Sequence, residues 1–444
     1  MRMKILGTLL AAMAVGGSAA CSNFLDAPEA VANPNQPTVA GINQQFVATQ
    51  TALTLQYTSD LARTACIWIQ QCAGTERQYG QLGMYDYGED AYNASFAQVY
   101  TGGGLIDIKG VIEKADAAGD DVYGAVGRVI EVMQMGLAAD VWGDIPYSQA
   151  VSDTPTPSLD AQQDVYISLQ ATLDTAITML ASNKGAGPGL VDLYYGGNAV
   201  KWARLAHTLK ARYALHVAER EGASAYALAL AQAQQGLQPG DDFLGIAGDN
   251  PQSYNAWYQF LVIQRAGYMF AGRELVDLLA QRSDPRLTHY FLANDDDAYV
   301  GADPGDATSS QFSSFTVQDA PAYRQPIVTW QENRLIVAET AFRTGSGSLA
   351  ASALDAVRQD AGLPTLGTVT LEDILAEKYI VLFQNPEAWN DYKRTCYPAL
   401  IPAAGSQAVP GRLLYAVGER NSNPNVPAPA AQPARNWNDP VACS

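Results

Sequence analysis

The side chains able to carry covalent chemistry are few and scattered. His207, His216 and His289 stand too far apart in sequence to read as a metal site. The chain has neither a Gly-x-Ser-x-Gly elbow nor a His-Glu-x-x-His pair. Its 45 acidic residues offer many pairs for glycoside hydrolysis, but no spacing singles one out. Asn294-Asp295-Asp296-Asp297, with Asp303 and Asp306, supplies the oxygen ligands Ca²⁺ takes, yet lacks EF-hand spacing and reads as a solvated acidic loop. Gly102-Gly103-Gly104 could cradle a phosphate. No strand precedes it and no Lys-Ser/Thr follows, so it reads as a helix kink or start. These patterns call for no cofactor and no metal.

The chemistry that does concentrate is non-covalent. Residues 74–93 carry Tyr79, Tyr85, Tyr87 and Tyr92, and residues 251–270 carry Tyr254, Trp257, Tyr258, Phe260, Tyr268 and Phe270. Loops this rich in rings either bury them against the body or offer them to a ligand. Sugars present apolar C–H faces that stack on aromatic rings, while amide side chains bind their hydroxyls. The candidate ligand set is therefore Gln78, Tyr79, Tyr85, Tyr87, Asn93, Tyr254, Asn255, Trp257 and Tyr258, with Gln259 nearby. Tyr299 and Tyr323 join it from the following loop. For any single ring, packing of a long loop onto the body is the competing reading.

Charge narrows the partners. The 444 residues include 27 basic and 45 acidic ones, a net charge of −18. Nucleic acid and anionic membrane surfaces both need basic patches, so neither is expected as a partner. Residues 1–20 read as a secretory signal: Arg2 and Lys4, an apolar run from Ile5 to Val15, then small residues to Ala20. Ser18-Ala19-Ala20 fits an ordinary cleavage site, and Cys21 directly after it fits a lipoprotein site. No later run reaches the ~18 apolar residues of a transmembrane helix. In an oxidising compartment Cys66, Cys72, Cys396 and Cys443 can form disulfides in three pairings. A Cys66–Cys72 bridge needs the helix to break before Cys72, and a Cys396–Cys443 bridge would tie down a Pro- and Ala-rich tail.

The elements that must position these residues are mostly helical. Residues 21–38, with three prolines, read as an extended tether, and 39–444 as one domain. Helical periodicity fills 39–237 and 329–385, while 238–328 and 386–444 are loop-rich. Within the helical part, apolar stripes run through 41–71, 96–117, 124–142, 164–180 and 223–235. Asn198 caps a helix carrying Trp202, Leu205, Leu209, Tyr213 and His216, where His207 and His216 read as packing residues. In 238–328 only 271–281 looks helical. Later, Ser348 is placed as the cap of 349–361, followed by a last helix at 371–383. The pairs, ~34–45 residues each, have the size of tetratricopeptide units. The fold class is thus mainly α: tetratricopeptide-like helix pairs packed against a loop-rich, irregular second half with little strand.

Asp140-Val141-Trp142-Gly143-Asp144-Ile145-Pro146-Tyr147-Ser148 ends one of these helices. Gly143 sits where a cap wants positive φ, and Pro146 forbids helix continuation. Trp142-Gly143-Asp144-Ile145-Pro146-Tyr147 resembles the signature of the SusD/RagB-like nutrient-binding lipoproteins. So do Cys21-Ser22-Asn23-Phe24-Leu25-Asp26, Lys201 to Tyr213 (with His207-Thr208 where Asn-Ser is usual), Asp284-Pro285-Arg286, Trp389 to Pro398, and Arg412 to Asn425. Their order spans nearly the whole mature chain. The signature turn itself reads as scaffold rather than ligand site. The resemblance implies a non-enzymatic lipoprotein, anchored through Cys21 on the outer face of the outer membrane. It would bind oligosaccharide and deliver it to a TonB-dependent β-barrel importer. Within the family, peptide or another nutrient is the alternative ligand. Outside it stand a tetratricopeptide scaffold that binds only proteins and a secreted glycoside hydrolase.

Overall fold

Helix α1 (Ile42–Thr58) runs into α2 (Asp60–Trp68) with a break at Ser59, which takes φ −108° and ψ −123°. In this computed structural model the described residues are 40–406 and 408–443. The expected signal, tether and Cys21 lie outside them. The chain divides into two units, Met1–Gln44 and Gln45–Ser444. Among the described residues the buried hydrophobic core begins at Phe46 and belongs to the second unit.

The helical half is a succession of neighbours built around one buried helix. Gly102 and Gly103 adopt φ 60° and 94°, and α3 (Leu105–Ala118) starts just after them, so the glycine run is a helix start. It ends on Gly119 at φ 65°, a conformation cheap only for glycine. Asp120 then caps α4 (Asp121–Trp142), its carboxylate accepting from Tyr123 N at 2.9 Å. α4 is buried along nearly its whole length. α5 (Gln162–Ser182) and α6 (Ala199–His216) pack on it in turn, followed by α7 (Ala223–Ala233), α8 (Trp330–Arg343), α9 (Gly347–Asp360) and α10 (Leu371–Val381). Gly136 permits the closest approach, since a Cβ there would lie 2.0 Å from Tyr213 Oη of α6. This succession of packed pairs is the tetratricopeptide-like architecture anticipated.

Strand is confined, among the described residues, to three short antiparallel pairs that join distant segments. β1 (Cys72–Gly74) pairs with β3 (Met269–Ala271), β2 (Phe243–Leu244) with β6 (Pro326–Val328), and β4 (Phe291–Leu292) with β5 (Ser314–Phe315). α2 ends before Cys72, and Cys66 is bonded to Cys72. Cys396 is bonded to Cys443.

Some boundaries differ from the sequence reading. The helix placed at 349–361 is Gly347–Asp360 with Ser346, not Ser348, at its start. The segment 386–444 contains α11 (Glu387–Thr395) and α12 (Val417–Ser422), and 238–328 contains the π-helical turn Gln259–Gln264. α11 was hidden because its apolar residues are few; it is buried instead through ion pairs. Lys378 and Arg394 meet Glu339 at 3.0 and 2.6 Å, and each also meets Asp391 at 2.8 Å. Such a network costs desolvation and holds only when its members are all present.

Candidate functional site

Pairing of β1 with β3 brings the two aromatic segments together. Gly74 lies opposite Met269, and Thr75 N donates to Tyr268 O at 3.0 Å. The Tyr79 ring meets Phe260 at 4.8 Å and Tyr268 at 6.3 Å. Arg63, from α2, lies beneath this group: its guanidinium is 4.4 Å from the Phe260 ring centre, and its Nε donates to Tyr79 Oη at 3.1 Å. Asp60 pairs with the same guanidinium. Burial pushes the Tyr79 phenol up, and Arg63 brings it back only in part. Tyr79 is therefore a neutral phenol whose orientation is fixed.

Beside these rings is a cleft of about 310 Å³ lined by Asp60, Gln78, Tyr79, Asp86, Tyr87 and Asp90 among others. Gln78, Asp86 and Asp90 are exposed and Tyr87 is half-buried. Tyr87 stands 5.1 Å from Trp68 and donates from Oη to Arg412 O at 2.9 Å. Burial pushes its phenol up to about 12, so it stays a donor. Fixed rings, exposed carboxylates and an amide in one concavity suit a polyhydroxylated ligand with an apolar face.

The other candidate residues are dispersed or enclosed. Tyr85 and Trp257 are 4 % and 0 % exposed, so neither ring is offered to solvent as expected. Trp257 packs against Phe315, and Tyr85 Oη accepts from Gln70 Nε2 at 3.1 Å. Asn255 is buried as the cap of the turn Ala256–Tyr258, and its Nδ2 donates to Tyr323 O at 2.8 Å. Asn93 Oδ1 accepts from Gly418 N, docking α12. Tyr254 and Tyr258 make a half-buried pair 5.0 Å apart, while half-buried Tyr299 and 42 %-exposed Tyr323 lie in the later loop. The candidate set omitted Arg63, Phe260 and Tyr268, which pack against Tyr79 without lining the cleft. Only the β1–β3 pairing joins them, and strands of three residues leave no periodic signal.

One buried cluster has the residue types of a metal site: Asp140, His216 and Glu387. His216 Nδ1 lies 2.8 Å from Asp140 Oδ1, and Nε2 lies 2.7 Å from Glu387 Oε1. Burial alone would lower the imidazole, but the two carboxylates hold it up at about 10. With a carboxylate oxygen at each ring nitrogen, the imidazole carries both protons and is paired on both sides. Around it the signature turn is locked: Trp142 Nε1 donates to Leu414 O, Tyr415 Oη to Asp144 O, and Lys393 Nζ to Asp140 O.

Known proteins share this architecture. A family model named SusD-like and described as "Starch-binding associating with outer membrane" matches residues 34–416. No curated protein matches. A chitin-binding SusD homolog from Flavobacterium johnsoniae superposes with a TM-score of 0.78 at 20% identity, over 90% of this chain and 99% of its own. A SusD/RagB family protein from Bacteroides thetaiotaomicron gives 0.76 at 20% identity, over 91% and 100%. A SusD homolog from Bacteroides uniformis gives 0.75 at 18% identity, over 90% and 99%. At such identity these structures establish the fold. Among the described residues no helix is long and apolar enough to cross a membrane.

Proposed function

The chain belongs to the SusD-like family, and on that premise we propose that it captures oligosaccharide at the cell surface for import. Its own lipid, on Cys21, holds it to the outer face of the outer membrane, and a TonB-dependent β-barrel receives the glycan. The chain binds and hands over; it does not cleave. The observation that carries the glycan reading is the cleft lined by half-buried Tyr87, with Gln78, Asp86 and Asp90 exposed around it. The Tyr87 ring supplies apolar surface, and the carboxylates and amide accept from and donate to hydroxyls. The family description and the chitin-binding relative support carbohydrate over peptide. A screen of the folded protein against glycan and peptide arrays tests this. Glycan binding is the expected result; binding confined to peptides overturns the sugar reading, and release of shortened sugars overturns capture without cleavage.

A further inference from the structure

The cleft carries charge of one sign. Asp60, Asp86 and Asp90 line it, and no Lys, Arg or His does among the described residues. Asp60 is paired with the Arg63 guanidinium, and just outside the cleft Glu89 is paired with Arg420 at 2.6 Å. Asp86 and Asp90 are exposed, and among the described residues no cation pairs with either. The backbone fixes where they stand. Asp86 follows the short helix Arg77–Gly83, and its N–H donates to Gln81 O at 3.0 Å, back onto a residue of the cleft wall. A Cβ on Gly88 would stand 2.7 Å from Asp90 Oδ1, so that carboxylate lies over another wall residue. Two uncompensated negative charges are thus held on one turn of the cleft.

We propose that Asp86 and Asp90 make the cleft sort oligosaccharides by charge, an inference that rests on the glycan reading above. Rings bearing a free amine are favoured, neutral rings are admitted, and uronates and sulfate esters are rejected. Coulomb energy falls with distance and with salt, so these charges act on what enters the cleft and little beyond it. An ammonium donates to a carboxylate and is attracted by both. A neutral ring donates hydroxyls to the same oxygens without the Coulomb gain. A uronate or sulfate brings acceptors to acceptors and like charge to like, with no Lys or Arg in the wall to receive it.

The test is the glycan array read by charge, on wild type and on the double variant Asp86→Asn with Asp90→Asn, which keeps side-chain size and removes both charges. At about 20 mM salt, wild type should hold amine-bearing members about fivefold above their neutral counterparts and acidic members about fivefold below, the scale of one or two exposed charge pairs. At about 0.5 M salt the three classes should converge to within about twofold, because screening then reaches only a few ångströms. The double variant should show the converged pattern already at low salt, with an unchanged melting temperature. The net charge of −18 repels anions from the whole surface, but removing two of 45 acids leaves that background nearly intact. Convergence in the variant therefore places the sorting at the cleft. Acidic glycans bound by wild type as tightly as neutral ones at low salt, or an order that survives in the double variant, overturns the sorting and leaves glycan capture standing. Displacement of an amine-bearing glycan by equimolar Ca²⁺ would make the two carboxylates a metal site and overturns the sorting as well. Binding of no glycan of any charge overturns capture itself, and the sorting with it.

Discussion

Asp140, the first residue of the signature stretch, shares a 2.8 Å hydrogen bond with His216, the last residue of α6. Asp140 also accepts from Tyr166 Oη at 2.6 Å, and Glu387 takes the other imidazole nitrogen. Three segments distant in sequence are thus tied at one buried cation. Asp140, just before the signature turn, serves this junction, while the cleft of Gln78, Asp86 and Asp90 lies on other segments.

This junction should set a pH dependence. The folded His216 value, about 10, lies above the ~6.5 of a free imidazole. Its contribution is therefore fully present below about pH 6.5 and is lost as pH rises through 10. His216→Gln leaves two buried carboxylates facing each other and should cost about 3–5 kcal/mol at neutral pH. Urea unfolding from pH 6 to 10 checks this: the gap between the two proteins should narrow as pH rises. A constant gap contradicts it.

Gly143 is held at φ 79°, and a Cβ there would stand 2.6 Å from Asn436 Oδ1. Gly143→Val should destabilise the fold by more than the ~1 kcal/mol of an average substitution. Its folded fraction should bind glycan normally. Normal melting with lost binding would make the turn part of the ligand site.

The two disulfides should differ in worth. Cys66–Cys72 closes a loop of sequence separation 6 and Cys396–Cys443 one of 47. Loop-closure entropy assigns about 2 kcal/mol to the first and about 4 kcal/mol to the second. Paired Cys→Ala variants, compared by denaturant midpoint, should show the larger loss for Cys396 and Cys443. The reverse order would point to native-state strain as the controlling factor.

The helical periodicity was legible because helices that pack in sequence order show their apolar stripes. Asn198 is an example: its side chain accepts from Val200 N and Lys201 N, as a cap at that position should. α11 was not legible, because Asp391, Lys393 and Arg394 are buried by pairing and look like surface residues in a sequence. At the candidate site, tyrosine density singled out residues 74–93 and 251–270, two segments that the β1–β3 pairing joins. It could not separate rings that enclose the core, Tyr85 and Trp257, from Tyr79 and Tyr87, which line the cleft. That distinction is set by a three-residue strand pairing, which propensity cannot resolve.

Surface anchoring predicts a lipidated Cys21 at the mature N-terminus. Mass spectrometry of protein from the membrane fraction should find the lipid mass on that residue. Cys21→Ala should release the protein from the membrane; a free amine on unmodified Cys21 removes the anchor.

The central claim is that the cleft of Gln78, Asp86, Tyr87 and Asp90 holds a glycan. The most direct measurement is calorimetry of one array-identified oligosaccharide against wild type, Gln78→Ala and Asp86→Ala, both at exposed residues of the cleft. Each variant should bind about tenfold more weakly, the ~1–1.5 kcal/mol of one hydrogen bond, with an unchanged melting temperature. Trp257→Ala, at a fully buried ring, should instead lower the melting temperature by removing core. Full-strength binding by both cleft variants would place the glycan elsewhere on the molecule and contradict the account.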